Sequence, residues 1–221
     1  MYEYIMEVAE MLVKNDYVSK SKVVYVKEND NLQDVKKTFS VSGYRCIPVL
    51  DEAGEKYIGN LYKVNLLRYE SDNSLDAPLN KVLISDREID NAVKEDDPFF
   101  KVFSTIRQLP YLAVVDDKGH FQGILTNGNV IQVLENAWGV HNGSYSLTVG
   151  TVEYQGVLQH MLQIINEYCS VQSVITLNND TQFVRRICIV LPEGVDEKTK
   201  DKIIADLEEN KFTVTDVEKL N

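Results

Sequence analysis

The chain lacks any long apolar run and has few basic residues for its size. No uninterrupted apolar stretch in its 221 residues approaches the roughly 20 needed to cross a bilayer, so neither a membrane-spanning helix nor a membrane partner is expected. The N-terminal sequence MYEYIMEVAEML is acidic, which predicts no secretory signal and a cytoplasmic location. With 23 Lys and Arg against 34 Asp and Glu, the net charge is −11. Nucleic-acid binding is therefore not expected, because it requires basic side chains against phosphates.

Cysteine and the common catalytic motifs are also scarce. Cys46, Cys169 and Cys188 form no CxxC pair and lie in apolar runs, so we predict reduced core thiols rather than a disulfide or metal framework. The three histidines have no metal-ligand spacing. The GxxxxGK[ST] loop, the GxGxxG loop and the GxSxG elbow do not occur in the sequence. No catalytic residue, metal or cofactor can be assigned, and we predict a protein that is not an enzyme.

A repeated segment organises the first part of the chain. GNLYKVN (residues 59–65) and GILTNGN (residues 123–129) begin 64 residues apart, and each follows an apolar run and an Asp-x-x-Gly turn. Asn127-Gly128 is a hairpin signal, but the apolar residues after it have helical spacing and predict a helix. Upstream of each segment lie a short strand and an amphipathic helix, the second with Asp97 as its predicted cap and Pro98 as its first residue. The unit is therefore predicted to be strand, helix, strand, strand, helix, in two copies.

The repeats resemble a known module. SGYRCIPVLDEAGEKYIGNLYKVNLL and RQLPYLAVVDDKGHFQGILTNGNVI together resemble a tandem pair of CBS domains, the module named after cystathionine β-synthase. The resemblance implies repeats at about 17–70 and 79–138, packed sheet to sheet as a CBS pair over residues 1–138. It also implies clefts that bind adenosine-containing ligands, in which the Asp of Gly-x-x-Thr-x-x-Asp holds the ribose with help from the Thr.

This chain departs from that pattern at the ribose position. Asn65 and Asn129 replace the Asp, Tyr62 replaces the first Thr, and Thr126 keeps the second. Asn accepts a hydrogen bond from a hydroxyl but lacks the carboxylate charge, and it does not repel phosphate. Ordinary helix capping is the alternative role for both Asn residues. We predict nucleotide contact for Thr126 with Asn129 and leave the two roles equally open for Tyr62 and Asn65.

Candidate cations lie beside the same strands. Arg45 comes two residues before Ile47, which opens the apolar run IPVL, and both are predicted to contact the nucleotide. Lys20 or Lys22 lies ahead of the first strand, and Arg107 precedes the equivalent strand of the second repeat. Arginine suits phosphate because its guanidinium group is planar and can donate two parallel hydrogen bonds.

A second domain is predicted from residue 144 to residue 221, after the Gly- and Asn-containing segment WGVHNGS. Its pattern predicts the order βαββαβ, a ferredoxin-like sandwich, which makes the whole chain α+β. The stretch EYQGVLQHM resembles the signature turn of an ACT domain. That resemblance implies an amino-acid site lined by Glu153, Gln155 and Gly156. The favoured alternative is a dimerisation module in which Gly156 is a turn glycine.

The order CBS-CBS-ACT resembles a group of small bacterial regulatory proteins, some of which bind cyclic di-AMP and others of which are acetoin-utilisation regulators. The resemblance implies a homodimeric sensor that binds AMP, ATP or cyclic di-AMP as its regulatory ligand and acts on an unidentified protein partner. Two alternatives stay open: an oligomeric scaffold or adaptor that needs no ligand, and an amino-acid sensor that acts through the ACT-like domain.

Overall fold

The computed structural model describes residue 13 and residues 16–82, 92–106, 109–152, 155–178 and 185–220. The chain divides into two compact units, residues 1–130 and residues 131–221. The bounds predicted from the sequence, 1–138 and 144–221, differ from this division and remain a prediction. The two units are described separately below.

The first repeat begins with short strands. Its elements are β1 (Val18–Ser19), β2 (Val26–Lys27), α1 (Leu32–Ser42), β3 (Cys46–Leu50), β4 (Tyr57–Tyr62) and α2 (Lys63–Asp72). Strands β2, β3 and β4 form a sheet in which β2 runs parallel to β3 and β3 antiparallel to β4. The helix α1 begins where Asn31 Oδ1 accepts a hydrogen bond from the Gln33 N–H at 2.9 Å, and it ends at Gly43 with φ +72°. The short strand predicted upstream of α1 corresponds to the run KVVYV (residues 22–26). Lys22 belongs to a 3-10 turn, and only Val26 of the run joins the sheet.

The second repeat has the same order. Its elements are β5 (Ala92–Lys94), α3 (Phe99–Thr105), β6 (Tyr111–Val115), β7 (Phe121–Thr126) and α4 (Asn127–Trp138). The prediction of strand, helix, strand, strand, helix is therefore confirmed in both copies, and Asn127-Gly128 opens a helix rather than a hairpin. The predicted cap of α3 is wrong by one residue. Pro98 is the N-cap, while Asp97 Oδ2 accepts hydrogen bonds from the Lys94 N–H and from Lys101 Nζ.

The two repeats pack against each other. Strand β1, which precedes the first repeat, pairs with β7 of the second in a sheet of order β1-β7-β6-β5. Leu50, Ala113 and Phe121 form a shared buried cluster, and the Phe121 ring stacks on Tyr57 with 6.1 Å between ring centroids. The Phe121 N–H also donates to the Glu55 carbonyl at 2.7 Å. Sheet contacts, apolar packing and a backbone hydrogen bond thus join the repeats, as expected for a CBS pair.

The C-terminal unit is built on one antiparallel sheet. Its elements are β8 (Gly143–Thr151), α5 (Val157–Asn166), β9 (Ser173–Asn178), β10 (Arg185–Pro192), α6 (Glu197–Glu209) and β11 (Thr213–Lys219). The sheet order β11-β8-β10-β9 and the chain order βαββαβ confirm the predicted ferredoxin-like architecture. Its core includes Leu147, Met161 and Ile203. The three cysteines are free thiols, but each is partly exposed rather than fully buried.

Candidate ligand-binding cleft

A cavity of about 490 Å³ opens between the two repeats of the first unit, and we call it cleft A. Its walls come from the segment around the 3-10 turn, from the start of β3, from the start of β6 and from the end of β7. The apolar residues that line it include Val18, Val23, Val24, Ile47, Pro48 and Ile124. A cavity of this size with apolar walls fits a drug-sized ligand that contains a flat ring system.

The polar residues that line cleft A give it a positive character. Lys22 and Arg45 lie in its wall, and both are exposed. The Arg45 carbonyl accepts a hydrogen bond from the Lys63 N–H at 2.9 Å, which fixes the backbone that carries the guanidinium group. None of the described residues that line the cleft is acidic. In a chain with a net charge of −11, cleft A is therefore a local site suited to an anion.

Thr126 and Asn129 form a reciprocal cap at the start of α4, beside cleft A. The Thr126 N–H donates to Asn129 Oδ1 at 3.1 Å, and the Asn129 N–H donates to Thr126 Oγ1 at 3.2 Å. The Thr126 hydroxyl also donates to Asn129 Oδ1 at 2.6 Å. This is a capping box with Asn in the place of Glu or Gln. Because Thr126 lines the cavity, the positively polarised end of α4 begins at the cleft wall.

Of the two lysine candidates, Lys22 lines cleft A and Lys20 does not. Lys20 Nζ donates instead to the Gly54 carbonyl at 2.6 Å and lies 5.9 Å from the centroid of the Tyr25 ring. The two residues stand at the ends of a 3-10 turn, where side chains two positions apart point in different directions. Of the two, the structure therefore places Lys22 at cleft A, and nucleotide contact by either lysine stays a prediction.

Tyr62 and Asn65 occupy the equivalent positions at the start of α2, outside the lining of cleft A. Tyr62 is the N-cap residue of α2, but its side chain makes no capping hydrogen bond. The Tyr62 side chain therefore does not give α2 the hydroxyl cap that Thr126 gives to α4. The structure brings Arg45, Ile47 and Thr126 together at one cavity and leaves Tyr62 and Asn65 apart from it.

Sequence reasoning missed Tyr111, which is only 6% exposed and lines the same cavity. Its hydroxyl donates to Oδ1 of the buried Asn60 at 2.6 Å, and the Cys46 thiol donates to the Tyr111 hydroxyl at 3.7 Å. Burial, together with the nearby Cys46, raises the pKa of Tyr111 well above its ordinary value. The available signal was its position, since Tyr111 opens β6 as Cys46 opens β3.

The remaining predicted residues lie elsewhere. Arg107 and Glu153 fall outside the described residues. Gln155 and Gly156 are exposed, and Gly156 precedes α5 as its N-cap with φ +87°, a conformation that favours glycine. Within the described ranges, no group of three or more His, Cys, Asp or Glu residues could hold a metal ion. The helices that the structure describes include none with the length and apolar character required to cross a membrane.

Comparison with known families identifies the first unit. The model of the CBS domain matches residues 13–72 and 87–136, one match for each repeat. The chain therefore belongs to the CBS-domain family. Its predicted CBS pair is confirmed by these matches and by the repeated fold.

Relatives and solved structures resemble the CBS pair. Over 132 residues, 60% of this chain, it is 27% identical to the magnesium and cobalt efflux protein CorC of Pasteurella multocida. The alignment covers 43% of CorC, so the chain spans less than half the length of that relative. A hypothetical conserved protein of Geobacillus kaustophilus matches 57% of this chain and 96% of its own, with a TM-score of 0.50 and 26% identity. CbpB, solved in complex with c-di-AMP, matches 57% of this chain and 85% of its own, with a TM-score of 0.51 and 16% identity, which indicates a shared fold.

Proposed function

We propose that this protein is a non-catalytic regulatory sensor that binds an adenine nucleotide in cleft A. The observation that carries the proposal is the lining of that cleft: apolar walls, two exposed cations and no acidic side chain among the described lining residues. Apolar walls fit the base, and a cationic rim fits the phosphates. Membership of the CBS-domain family supports the same class of ligand.

Each group of the cleft has a defined role in the proposed complex. Ile47 and Ile124 contact the adenine ring, while Lys22 and Arg45 bind phosphate oxygens. Thr126, at the start of α4, contacts the sugar together with its hydrogen-bonded partner Asn129. Sugar binding replaces the hydrogen bond between the Thr126 hydroxyl and Asn129 Oδ1, so the ligand competes with an existing cap.

A cyclic dinucleotide is the ligand that Asn129 favours. The 3′ oxygen of cyclic di-AMP is esterified, so its ribose presents one hydroxyl fewer to a carboxylate, and its phosphate lies close to the sugar. An amide at residue 129 accepts the remaining hydroxyl without repelling that phosphate. CbpB, which shares the fold, has been solved with c-di-AMP.

Nucleotide binding regulates a partner through the state of a homodimer. The nucleotide shifts the population between two arrangements of that dimer, because it binds one of them more tightly. The C-terminal unit, an ACT-like domain by its βαββαβ order and its resemblance at Gly156, presents the altered surface to a protein partner. The protein acts in the cytoplasm.

A thermal-shift titration tests the proposal. AMP, ATP, cyclic di-AMP and S-adenosylmethionine are titrated in parallel against the full-length protein. A ligand at one hundred times its dissociation constant adds about 2.7 kcal/mol to the free energy of unfolding, which raises the melting temperature measurably. A saturable shift with cyclic di-AMP is expected, and no shift with any of the four ligands would refute the sensor.

Two arginine variants locate the site. Arg45→Ala removes a cation from cleft A and is expected to weaken nucleotide binding by about tenfold to a hundredfold, the loss of one charge-assisted contact of about 1.5–3 kcal/mol. Arg68→Ala removes the same charge from an exposed position of α2 outside the cleft lining, so its affinity should match the wild type. Equal affinities for both variants would place the nucleotide elsewhere.

A ligand-independent scaffold is the second candidate, and the cap of α4 favours it. Thr126 and Asn129 already satisfy each other, so neither side chain needs a ligand. A scaffold of this kind would keep its melting temperature unchanged through the whole nucleotide titration and would still assemble with its protein partner.

A further inference from the structure

The two repeats offer equivalent positions for two clefts. Strands β3 and β4 pair in the same register as β6 and β7, including an irregularity at the same step of each hairpin. The equivalent residues are Cys46 with Tyr111, Asn60 with Ile124, and Tyr62 with Thr126. We call the counterpart of cleft A, at Asn60, Tyr62 and Tyr111, cleft B. Tyr111 also lines cleft A, so it lies between the two clefts, with its hydroxyl bonded on the side of cleft B.

The two clefts differ at the first two of these positions. In cleft A, Cys46 and Ile124 are partly exposed, and both line the open cavity. In cleft B, the Tyr111 hydroxyl donates to Asn60 Oδ1 at 2.6 Å, and the two residues are 6% and 1% exposed. The phenol side chain of Tyr111 is larger than the equivalent Cys46 side chain of cleft A. It therefore reaches across to Asn60, whereas the equivalent residues of cleft A, Cys46 and Ile124, line an open cavity.

The third position adds bulk to cleft B. Tyr62 brings an aromatic ring to the place where Thr126 has a small hydroxyl side chain. Tyr62 and Tyr57 both lie close enough to Tyr111 to contribute, after burial and Cys46, to the raised pKa of its hydroxyl. Three tyrosine side chains and the buried Asn60 amide thus occupy the region of cleft B that corresponds to the proposed base and ribose positions of cleft A.

We propose that Tyr111, held by Asn60, fills cleft B, so that each chain binds one nucleotide and binds it in cleft A. This inference rests on the proposed function, because it assigns that function to one of two related clefts. The inference also explains why the two repeats differ at these three equivalent positions. In this proposal the residues of cleft A bind an anionic ligand, and the hydrogen bond between Tyr111 and Asn60 in cleft B stabilises the packing of the two repeats.

Isothermal titration calorimetry measures the stoichiometry directly, with AMP and cyclic di-AMP as separate probes of the full-length protein. One nucleotide per chain is expected. Two nucleotides per chain would overturn the inference and leave the proposed function standing. No heat and no thermal shift from either probe would overturn the proposed function, and the inference would fall with it.

Thr126→Tyr copies the residue of cleft B into cleft A. The variant should lose nucleotide binding entirely, whereas a protein with two working clefts would keep one site per chain. Tyr62 already serves as the N-cap residue of α2 without a side-chain capping hydrogen bond, so tyrosine is compatible with this position. The melting temperature without ligand checks the fold, and Tyr62→Phe, which keeps the ring in cleft B, should bind as the wild type does.

A double variant tests the closure itself. Tyr111→Cys with Asn60→Ile copies the residues of cleft A into cleft B and should create a second, weaker binding event in the calorimetric titration. A folded double variant that still binds one nucleotide per chain would overturn the role of Tyr111. If the double variant does not fold, the wild-type stoichiometry and the Thr126→Tyr result decide whether cleft B binds a nucleotide.

Discussion

Asn129 is the residue on which, in the proposed function, ligand choice depends. Asn129→Asp restores a carboxylate, which should bind a free ribose diol more strongly and repel a nearby phosphate. We expect the ratio of AMP affinity to cyclic di-AMP affinity to rise about tenfold, equal to about 1.4 kcal/mol, in calorimetric titrations. Asn127→Asp is the matched control, because it adds the same charge to an exposed position at the same end of α4. Equal ratios in both variants would contradict a sugar contact at Asn129.

At this scale the sequence predicted which residues lie near one another, while their contact with a nucleotide stays a prediction. Arg45, Ile47 and Thr126 lie at one cavity, as their positions in the repeat suggested. Lys20 could not be separated from Lys22, because the choice depends on a 3-10 turn just ahead of the strand-like run, and the sequence pattern does not predict that turn. Tyr111 was missed because its partner Asn60 is 51 residues away in the chain, and only the packing of the repeats brings them together.

Strand β1 positions one wall of cleft A, and Gly123 makes its pairing possible. A Cβ atom at residue 123 would lie 2.0 Å from the Val18 carbonyl oxygen and 2.7 Å from the Tyr17 ring. Gly123→Ala should therefore separate β1 from β7, lower the free energy of unfolding by about 1–3 kcal/mol and weaken nucleotide binding, because Val18 and Lys22 line the cleft. Urea unfolding and calorimetry measure the two effects.

Gly128→Ala is the control for that substitution. Its Cβ would meet only Thr126 Oγ1, at 3.6 Å, and alanine favours a helix over glycine by up to about 1 kcal/mol. The variant should be as stable as the wild type or more stable. A similar loss of stability in both variants would contradict the close approach of β1 to Gly123.

The hairpin between β6 and β7 makes stability depend on pH. Asp116 Oδ1 accepts hydrogen bonds from the N–H groups of His120 and Lys118, each at 2.8 Å. The bond from the His120 backbone is the main cause that lowers the pKa of Asp116 below its ordinary value near 3.8. A lowered pKa stabilises the fold above pH 4, and that contribution is lost as the pH falls through the folded-state value.

Asp116→Asn should therefore unfold at lower urea concentration than the wild type at pH 7, and the difference should shrink below pH 4. Asp117→Asn is the control. Asp117 pairs with Lys94 at 2.8 Å, but both side chains are largely exposed, and such pairs contribute little. A difference between Asp116→Asn and the wild type that does not change with pH would contradict the carboxylate's role in the turn.

At the level of elements, the sequence predicted the order of strands and helices in both units. Periodicity sufficed there because each element buries one face against its own unit, as Leu32, Val35 and Phe39 do on α1. Element ends were less certain. The helix α3 begins one residue later than predicted, with Pro98 as its N-cap, because Asp97 accepts hydrogen bonds from the Lys94 N–H of the preceding turn and from Lys101 Nζ of the helix.

At the scale of the whole molecule, we predict that the protein is a homodimer. Helix α2 presents Val64 and Leu67, which are 50% and 47% exposed and lie one turn apart on one face. A self-complementary apolar face of this kind suits a two-fold dimer. We expect light scattering to give a mass of about 50 kDa, twice that of the 25.2 kDa chain.

Charged substitutions on that face test the dimer and its link to sensing. Val64→Lys with Leu67→Lys should give a folded monomer near 25 kDa, because a lysine pair repels its symmetry mate and cannot be buried without cost. Asp72→Lys makes the same change of two charges at an exposed position of α2 and should remain a dimer. If the dimer transmits the nucleotide signal, the monomeric variant should still bind nucleotide in cleft A but fail to change its affinity for the protein partner. A monomeric wild type, or a double variant that stays dimeric, would contradict this use of α2.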